Sequence, residues 1–372
     1  MRTVHVTSGR LFGGIEQMLL TLAKCRGLAP EMEPAFAIAS PGRLDSELRE
    51  TGVEVAALGD VRLSRPASIV RGRAALTDLL RTRRASAVVC HAPWSFAIFA
   101  PVVRRAGVPV VLWLHDRADG RSIVERWARR TPADLVVCNS RWTSITAGAL
   151  QPGAPSTVIH PPVAITAGGG NVRAEVRQML DERPDAVVIL AASRMEPLKG
   201  HLNVLRALAK LRDLPSWTMW LAGGAQRPHE RECAAELTRE ATALGIAARV
   251  KFLGERRDVH RLMAAADVFC QMNDGPETFG IVFAEALLSR LPVVTAGLGG
   301  APEIVSSDCG FVIPAGDAAA LTRALAMLVR DPALRLQLGS AGPAHAAARC
   351  APDIVLPQLS RTLRSLDRTA AA

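Results

Sequence analysis

Short, unbroken apolar runs recur along this chain, each followed by a loop and then by a stretch with apolar residues at helical spacing. AVVC (87–90), VPVVLWL (108–114), LVVC (135–138), AVVILAA (186–192) and VFCQ (268–271) are the plainest. A strand with one face in water alternates apolar and polar residues, whereas a strand covered on both faces need not. Apolar strands separated by helices therefore call for parallel sheets with helices on both faces. The pattern predicts strands at 3–7, 33–39, 53–57, 87–90, 108–114 and 135–138, with helices near 15–23, 44–51, 68–81, 96–106 and 122–130. It pauses at 160–173, HPPVAITAGGGNVR, whose Pro pair and Gly triplet read as a linker. It restarts with strands at 186–192, 216–221, 250–252, 268–271, 293–294 and 311–313. The helices of this half fall near 201–210, 230–244, 259–265, 281–288, 302–305 and 318–330. A chain of 372 residues is too long for one compact core. The expected architecture is α/β: two Rossmann-like, doubly wound domains facing across a cleft, residues 1–165 and 166–349.

Charge narrows the partners. The net charge is +10, and residues 1–165 carry 21 Lys and Arg against 13 Asp and Glu. A basic first half suits an anionic membrane surface or acidic substrates. Nucleic acid is not expected, because no basic stripe is interleaved with aromatics and no nucleic-acid module is present. The seven cysteines include no C-x-x-C pair, and Cys90, Cys138 and Cys270 end apolar runs. That pattern belongs to a reducing, cytoplasmic setting without a zinc site. MRTVHVTSG at the start reads as a strand rather than a signal peptide, and the apolar window 95–114 is broken by Arg104, Arg105 and Pro109. The expected location is cytoplasmic, with peripheral contact at the inner face of a membrane.

Candidate chemistry gathers at the ends of the predicted strands, where ligands bind in open α/β sheets. In PETFGIVFAEAL (276–287), Glu277 lies in a loop and Glu285 about one turn into a helix, with Phe279-Gly280 at the joint. The first N–H groups of that helix have no partner within it and suit a phosphate. Ionised carboxylates only accept hydrogen bonds, so they suit sugar hydroxyls better than phosphate. Upstream, Arg194 and Lys199 share the loop before Gly200 and the next helix, an arrangement fit to clamp a pyrophosphate. The plain alternative is that all four charged residues are solvated surface groups. His91, His115-Asp116 and Asn139-Ser140 are placed just beyond strand ends, positions where a histidine is commonly an ordinary loop residue. Gly13-Gly14 opens the first helix but forms neither a G-x-G-x-x-G fingerprint nor a P-loop.

Taken together, the motifs resemble those of a family 4 retaining glycosyltransferase of the GT-B fold. The resemblance covers essentially the whole chain and is strongest over 191–317. It rests on GGIEQ (13–17), LHD (114–116), NS (139–140), SRMEPLKG (193–200), LAGG (221–224), VKFLGE (250–255), AADVF (265–269), PETFGIVFAEAL, PVV (292–294), GGAPEIV (299–305) and CGFVIPAGD (309–317), in that order. Ser193 departs from the pattern, since many members carry glycine there.

The resemblance implies a role for each matching position. Arg194 and Lys199 would bind the diphosphate, and Glu285 the ribose hydroxyls. Glu277 would contact the donor sugar, with Phe279, Gly280 and Ile281 against sugar and phosphate. Phe252 and Leu253 would frame the base. Gly14 would approach the phosphate, and His115 would reach the sugar at the reacting centre. The terminal segment 350–372 would pack back on the first domain, with a helix near 354–366. It further implies transfer from a UDP- or GDP-sugar to a glycan, lipid-linked or small-molecule hydroxyl, with no cofactor and no required metal. Attack from the leaving-group face is expected, with Glu277 a sugar contact rather than a nucleophile. Two other readings share these features: a nucleotide-sugar epimerase of related fold, and a non-catalytic donor-binding relative. Product analysis separates the first, and the intact set Arg194, Lys199, Glu277 and Glu285 weighs against the second.

Overall fold

The computed structural model describes residues 1–165, 171–214, 216–225 and 227–366. The chain divides into two compact units, Met1–Val163 together with Cys350–Ala372, and Ala164–Arg349.

The first unit holds a seven-stranded sheet built from β1 (Arg2–Thr7), β2 (Glu33–Ile38), β3 (Glu54–Ala57), β4 (Ala87–His91), β5 (Val110–Leu114), β6 (Leu135–Cys138) and β7 (Ser156–Val158). Its order is β3-β2-β1-β4-β5-β6-β7, with every neighbouring pair parallel. The order reverses between β1 and β4, the switch point of a doubly wound sheet. Side chains alternate between faces along each strand. Val4, Val6, Val88, Cys90, Leu112 and Leu114 join one core with Leu76 and Leu80 from the helix Pro66–Arg83 and Phe96, Phe99, Val102 and Val103 from the helix Ala92–Arg105. Their alternates Thr3, His5, Thr7, His91 and Trp113 are also buried. The helix Pro352–Arg364 completes this unit, burying Val355, Leu356, Leu359 and Leu363, while Ser360 Oγ donates to Glu31 Oε1 at 3.3 Å.

The second unit holds six strands: β8 (Val187–Ala192), β9 (Trp217–Ala222), β10 (Val250–Gly254), β11 (Val268–Gln271), β12 (Val293–Ala296) and β13 (Gly310–Ile313). All pairs are parallel and the order is β10-β9-β8-β11-β12-β13. The switch point lies between β8 and β11. β8, β9, β11 and β12 are buried along their whole length, in keeping with their apolar composition. Asp267, in the AADVF stretch, is an anchor: its carboxylate meets Arg173 at 2.7 Å and Arg177 at 2.6 Å and accepts the Val188 N–H at 2.7 Å.

The structure adds elements the pattern did not predict: helices Arg141–Leu150, Val172–Met179 and Pro332–Cys350, and the short strand β7. Part of the expected linker is therefore helical, since Val172–Met179 begins within 160–173; residues 166–170 lie outside the described residues. Of the expected terminal segment 350–372, Cys350 ends the preceding helix, the terminal helix is Pro352–Arg364, and 367–372 lie outside the described residues. Among the described residues no helix is long and apolar enough to cross a membrane, and all seven cysteines are free thiols.

Candidate active site

In the second unit two loops meet at the switch point. The loop after β8 carries Arg194, makes a 3-10 turn at Pro197–Lys199, and passes through Gly200 into the helix His201–Ala209. Gly200 has φ +67, and a Cβ built there would lie 1.5 Å from the carbonyl oxygen of Met272, just past β11. Only a residue without a side chain lets the two loops come this close. The loop after β11 reaches Glu277, whose main chain bridges Gly299 and accepts the Gly300 N–H at 2.6 Å. Gly280, at φ +90 and ψ 60, then turns the chain into the helix Ile281–Leu288. The left-handed conformation strains any residue with a Cβ, so the sharp entry to this helix depends on glycine.

These turns bring Lys199 and Glu277 together. Lys199 Nζ lies 3.0 Å from Glu277 Oε2, and Asn273 Nδ2 donates to the same oxygen at 2.8 Å. Glu277 Oε1 accepts the Thr278 N–H at 3.2 Å. Behind Asn273, Gln271 Nε2 donates to Asn273 Oδ1 at 2.9 Å. A line of donors thus runs from the sheet interior to one carboxylate and fixes its orientation. Arg194 is engaged elsewhere: its Nη1 is 2.6 Å from Glu196 Oε1 and 3.0 Å from Glu230 Oε1, and the Glu230 side chain is fully buried. Both cations of the expected clamp thus meet carboxylates in this structure. Glu196, His229 and Glu230 bring their ligand-type atoms within 4.8 Å of one another, but the guanidinium of Arg194 already supplies the countercharge there.

Glu285 lies one turn into its helix, as expected. Its carboxyl is partly exposed by area yet enclosed by protein, and the loss of water pushes it up to about 7. Among the described residues it has no hydrogen-bonding or ionic partner. Phe279 is buried and Ile281 half-buried. On β10, an outer strand of this sheet, Phe252 is 38% exposed and Leu253 is half-buried.

In the first unit, Gly13 caps the helix Gly14–Lys24, and Glu16 Oε2 accepts the Gly13 N–H at 3.0 Å. His115 follows β5 and is 9% exposed. His91 is not a loop residue: it is the last residue of β4 and is buried. Its Nδ1 lies 2.9 Å from His115 Nε2, and its Nε2 lies 3.0 Å from Nδ1 of His5 on β1. Burial pushes His5 and His115 down to about 3, and drives His91 well below its ordinary value with help from both neighbours. Asn139 and Ser140 serve the helix Arg141–Leu150: Ser140 Oγ accepts the Thr143 N–H at 3.1 Å, and Asn139 Oδ1 accepts from Thr143 Oγ1 at 2.9 Å. Sequence reasoning missed His5, Gln271 and Asn273. The polar beat Thr3, His5, Thr7 within an otherwise apolar strand was the available signal for the first.

Two doubly wound units, with cations, carboxylates and open helix ends at the carboxyl ends of their strands, define a ligand-processing α/β protein. The family model "Glycosyl transferases group 1" matches residues 172–345, and "Glycosyltransferase Family 4" matches residues 12–167. The GDP-mannose-dependent alpha-(1-6)-phosphatidylinositol monomannoside mannosyltransferase of Mycolicibacterium smegmatis is 34% identical over 269 residues, 66% of this chain and 68% of the relative. The GDP-mannose-dependent monoacylated alpha-(1-6)-phosphatidylinositol monomannoside mannosyltransferase of Corynebacterium glutamicum is 27% identical over 314 residues, 79% and 80% of the two chains. The crystal structure of Anabaena HepE in complex with UDP and glucose has a TM-score of 0.85 at 25% identity, covering 98% of this chain and all of that one. The chain belongs to glycosyltransferase family 4, with the GT-B fold, and is a glycosyltransferase.

Proposed function

We propose that this enzyme transfers a sugar, with retention of configuration, from a nucleoside diphosphate sugar to a hydroxyl of a glycan or lipid-linked acceptor. The observation that carries the reading is the grouping of Lys199 and Glu277 beside a helix that opens at Gly280 and holds Glu285, partnerless among the described residues. Open amides suit a diphosphate, and a desolvated carboxylate is satisfied by a vicinal diol such as ribose. Lys199 and Arg194 neutralise the departing diphosphate, exchanging part of their present carboxylate contacts for phosphate oxygens. Glu277 receives the sugar hydroxyls, Phe279 and Ile281 line the sugar and phosphate, and the exposed ring of Phe252, with Leu253, receives the base. In the first unit Gly14 contacts the phosphate and His115 the sugar. HepE, solved with UDP and glucose, and the relatives named for GDP-mannose support a nucleotide-sugar donor.

The acceptor oxygen bonds to the anomeric carbon as the bond to the diphosphate breaks on the same face, and a phosphate oxygen takes the acceptor's proton. Glu277 is a poor nucleophile, because both its oxygens already accept hydrogen bonds. No metal is needed where lysine, arginine and helix amides carry the leaving-group charge. A lipid-linked acceptor is supported by the phosphatidylinositol mannosides in the relatives' names and by the excess of 21 cations over 13 anions in residues 1–165. The enzyme works at the cytoplasmic face of an anionic membrane, and it is expected to co-sediment with anionic vesicles at low salt and to be released at high salt.

A thermal-shift panel of UDP, GDP, ADP and their sugar conjugates tests the core of the reading, since a ligand of the folded state raises Tm by mass action. One nucleotide is expected to raise Tm in the wild type and not in Lys199→Ala. No shift with any of them in a well-folded sample overturns the donor site.

A further inference from the structure

Three imidazoles stand in a row on adjacent strands of the first unit: His5 on β1, His91 at the end of β4 and His115 just past β5. The two junctions measure 3.0 and 2.9 Å between ring nitrogens. Neighbouring rings stack at centroid distances of 5.3 and 5.2 Å, with Trp113 against both His91 and His115. Ser95 Oγ donates to the His91 carbonyl at 2.5 Å, and Ala92, the next residue, is held at φ +75. A non-glycine residue persists there only where its surroundings over-determine the backbone. The row is therefore held from both sides.

A neutral imidazole carries one N–H and one bare nitrogen. His91 is in the middle and has a single proton for two junctions, so both hydrogen bonds must point the same way. Either His5 Nδ1–H donates to His91 and His91 Nδ1–H to His115, or both run in reverse. The far end decides between them. His5 Nε2 is buried with no partner among the described residues. Reverse polarity would place an N–H on that nitrogen, and an orphaned buried donor is the rarer and more costly arrangement. Outward polarity leaves only a bare lone pair there and puts the last proton on His115 Nδ1.

We propose that His5 and His91 are positioning residues that hold His115 in its Nδ1–H form, so that it meets its ligand as a hydrogen-bond donor and not as a base. The proposal rests on the reading above that places His115 at the donor sugar. A donor at this point suits a sugar hydroxyl oxygen or a phosphate oxygen, and it is pre-set before any ligand arrives. In chemical terms a residue deep in the sheet, His5, chooses which hydrogen-bonding role the outer end of the row presents.

Histidine labelled with ring ¹⁵N, in the full chain without ligand, reads the tautomer directly, with His115→Gln assigning the signals. The expected spectrum shows His115 protonated at Nδ1 and bare at Nε2. His5→Asp sets an acceptor-only carboxylate where Nδ1–H donated; at pH 8 it is expected to turn both hydrogen bonds round, to leave His115 bare at Nδ1 and to slow nucleotide release from UDP-glucose or GDP-mannose about tenfold, with donor KM little changed. His5→Asn, whose amide nitrogen stands where Nδ1 was, is expected to keep the wild-type tautomer and rate. A wild-type His115 protonated at Nε2 overturns the proposal, and so does a His5→Asp variant with unchanged tautomer and rate. If His5→Asp does not fold, the wild-type spectrum alone decides. Full activity in His115→Ala would remove the sugar contact of the earlier reading, while the spectrum judges the tautomer separately.

Discussion

Glu285 concentrates the site's chemistry in one side chain. Its carboxyl stands at about 7 against an ordinary 4.5 because protein has replaced water around it. The folded chain therefore holds this proton more tightly than the unfolded chain does. The contribution to stability is present at acid pH and is lost as pH rises from about 4.5 through about 7. Glu285→Gln is accordingly expected to raise the stability of the ligand-free enzyme at pH 8 by on the order of 2 kcal/mol and to do little at pH 4.5. Chemical denaturation at the two pH values checks this. The same substitution should weaken nucleotide binding at pH 8 and flatten its pH dependence, whereas wild-type affinity rises from pH 6 to 8 as the acceptor carboxylate forms. Equal stability of the two proteins at pH 8, with equal affinity, would sink the assignment. On the proposed reading, such a group trades stability for a ready binding site.

At the scale of elements, the site depends on how tightly loops are drawn across the carboxyl ends of β8 and β11. A methyl group at Gly200 would collide with the Met272 carbonyl and sit in left-handed backbone. Gly200→Ala should cost about 3 kcal/mol or more, and it should separate Lys199 from Glu277. Urea denaturation and nucleotide binding both read this change; near-wild-type values in each would show that the loops have slack. The same elements show what a sequence can and cannot reveal. β8, β11 and β12 were legible because burial on both faces makes a strand apolar throughout, and the helix at 281–288 was legible from its spacing. β7 is short, polar and at the sheet edge, so it carries little of that signal. The helix Pro332–Cys350 contains Gly339, Gly342 and Pro343, all poor helix formers. Its glycines are explained only by packing: a Cβ at Gly339 would lie 2.2 Å from the Arg290 carbonyl. Side-chain partners were the least legible of all. Lys199 is far in sequence from Asn273 and Glu277, and the hydrogen bonds the three share exist only once the loops are folded.

For the whole molecule, buried histidines set the response to acid. Burial lowers His5, His91 and His115 in the first unit, and His201, to about 4, in the second. Unfolded histidines take up protons near pH 6.5, and these folded ones do so only at much lower pH. Stability is thus lost as pH falls below about 6.5, by roughly 2 kcal/mol per neutral histidine at pH 5. Three of the four lie in the first unit, while Glu285 pulls the second unit the other way. Calorimetry between pH 8 and pH 5 should show the first unit's transition falling further than the second's; transitions that move together would contradict this.

The division of the chain has a consequence for synthesis. The first unit is discontinuous: it is built from Met1–Val163 and from a returning segment that begins at Cys350. On the ribosome the whole second unit emerges before the helix Pro352–Arg364 is available to cover its neighbours in the first. A nascent chain stopped anywhere between the two segments carries an unfinished first unit with bare apolar surface, a natural mark for chaperones and proteases. The helix Pro352–Arg364, packed against the helix Gly14–Lys24 and the turn Arg26–Leu28, therefore acts as a late seal on the first unit, and a message cut short before it yields a product fit for disposal rather than a half-active enzyme.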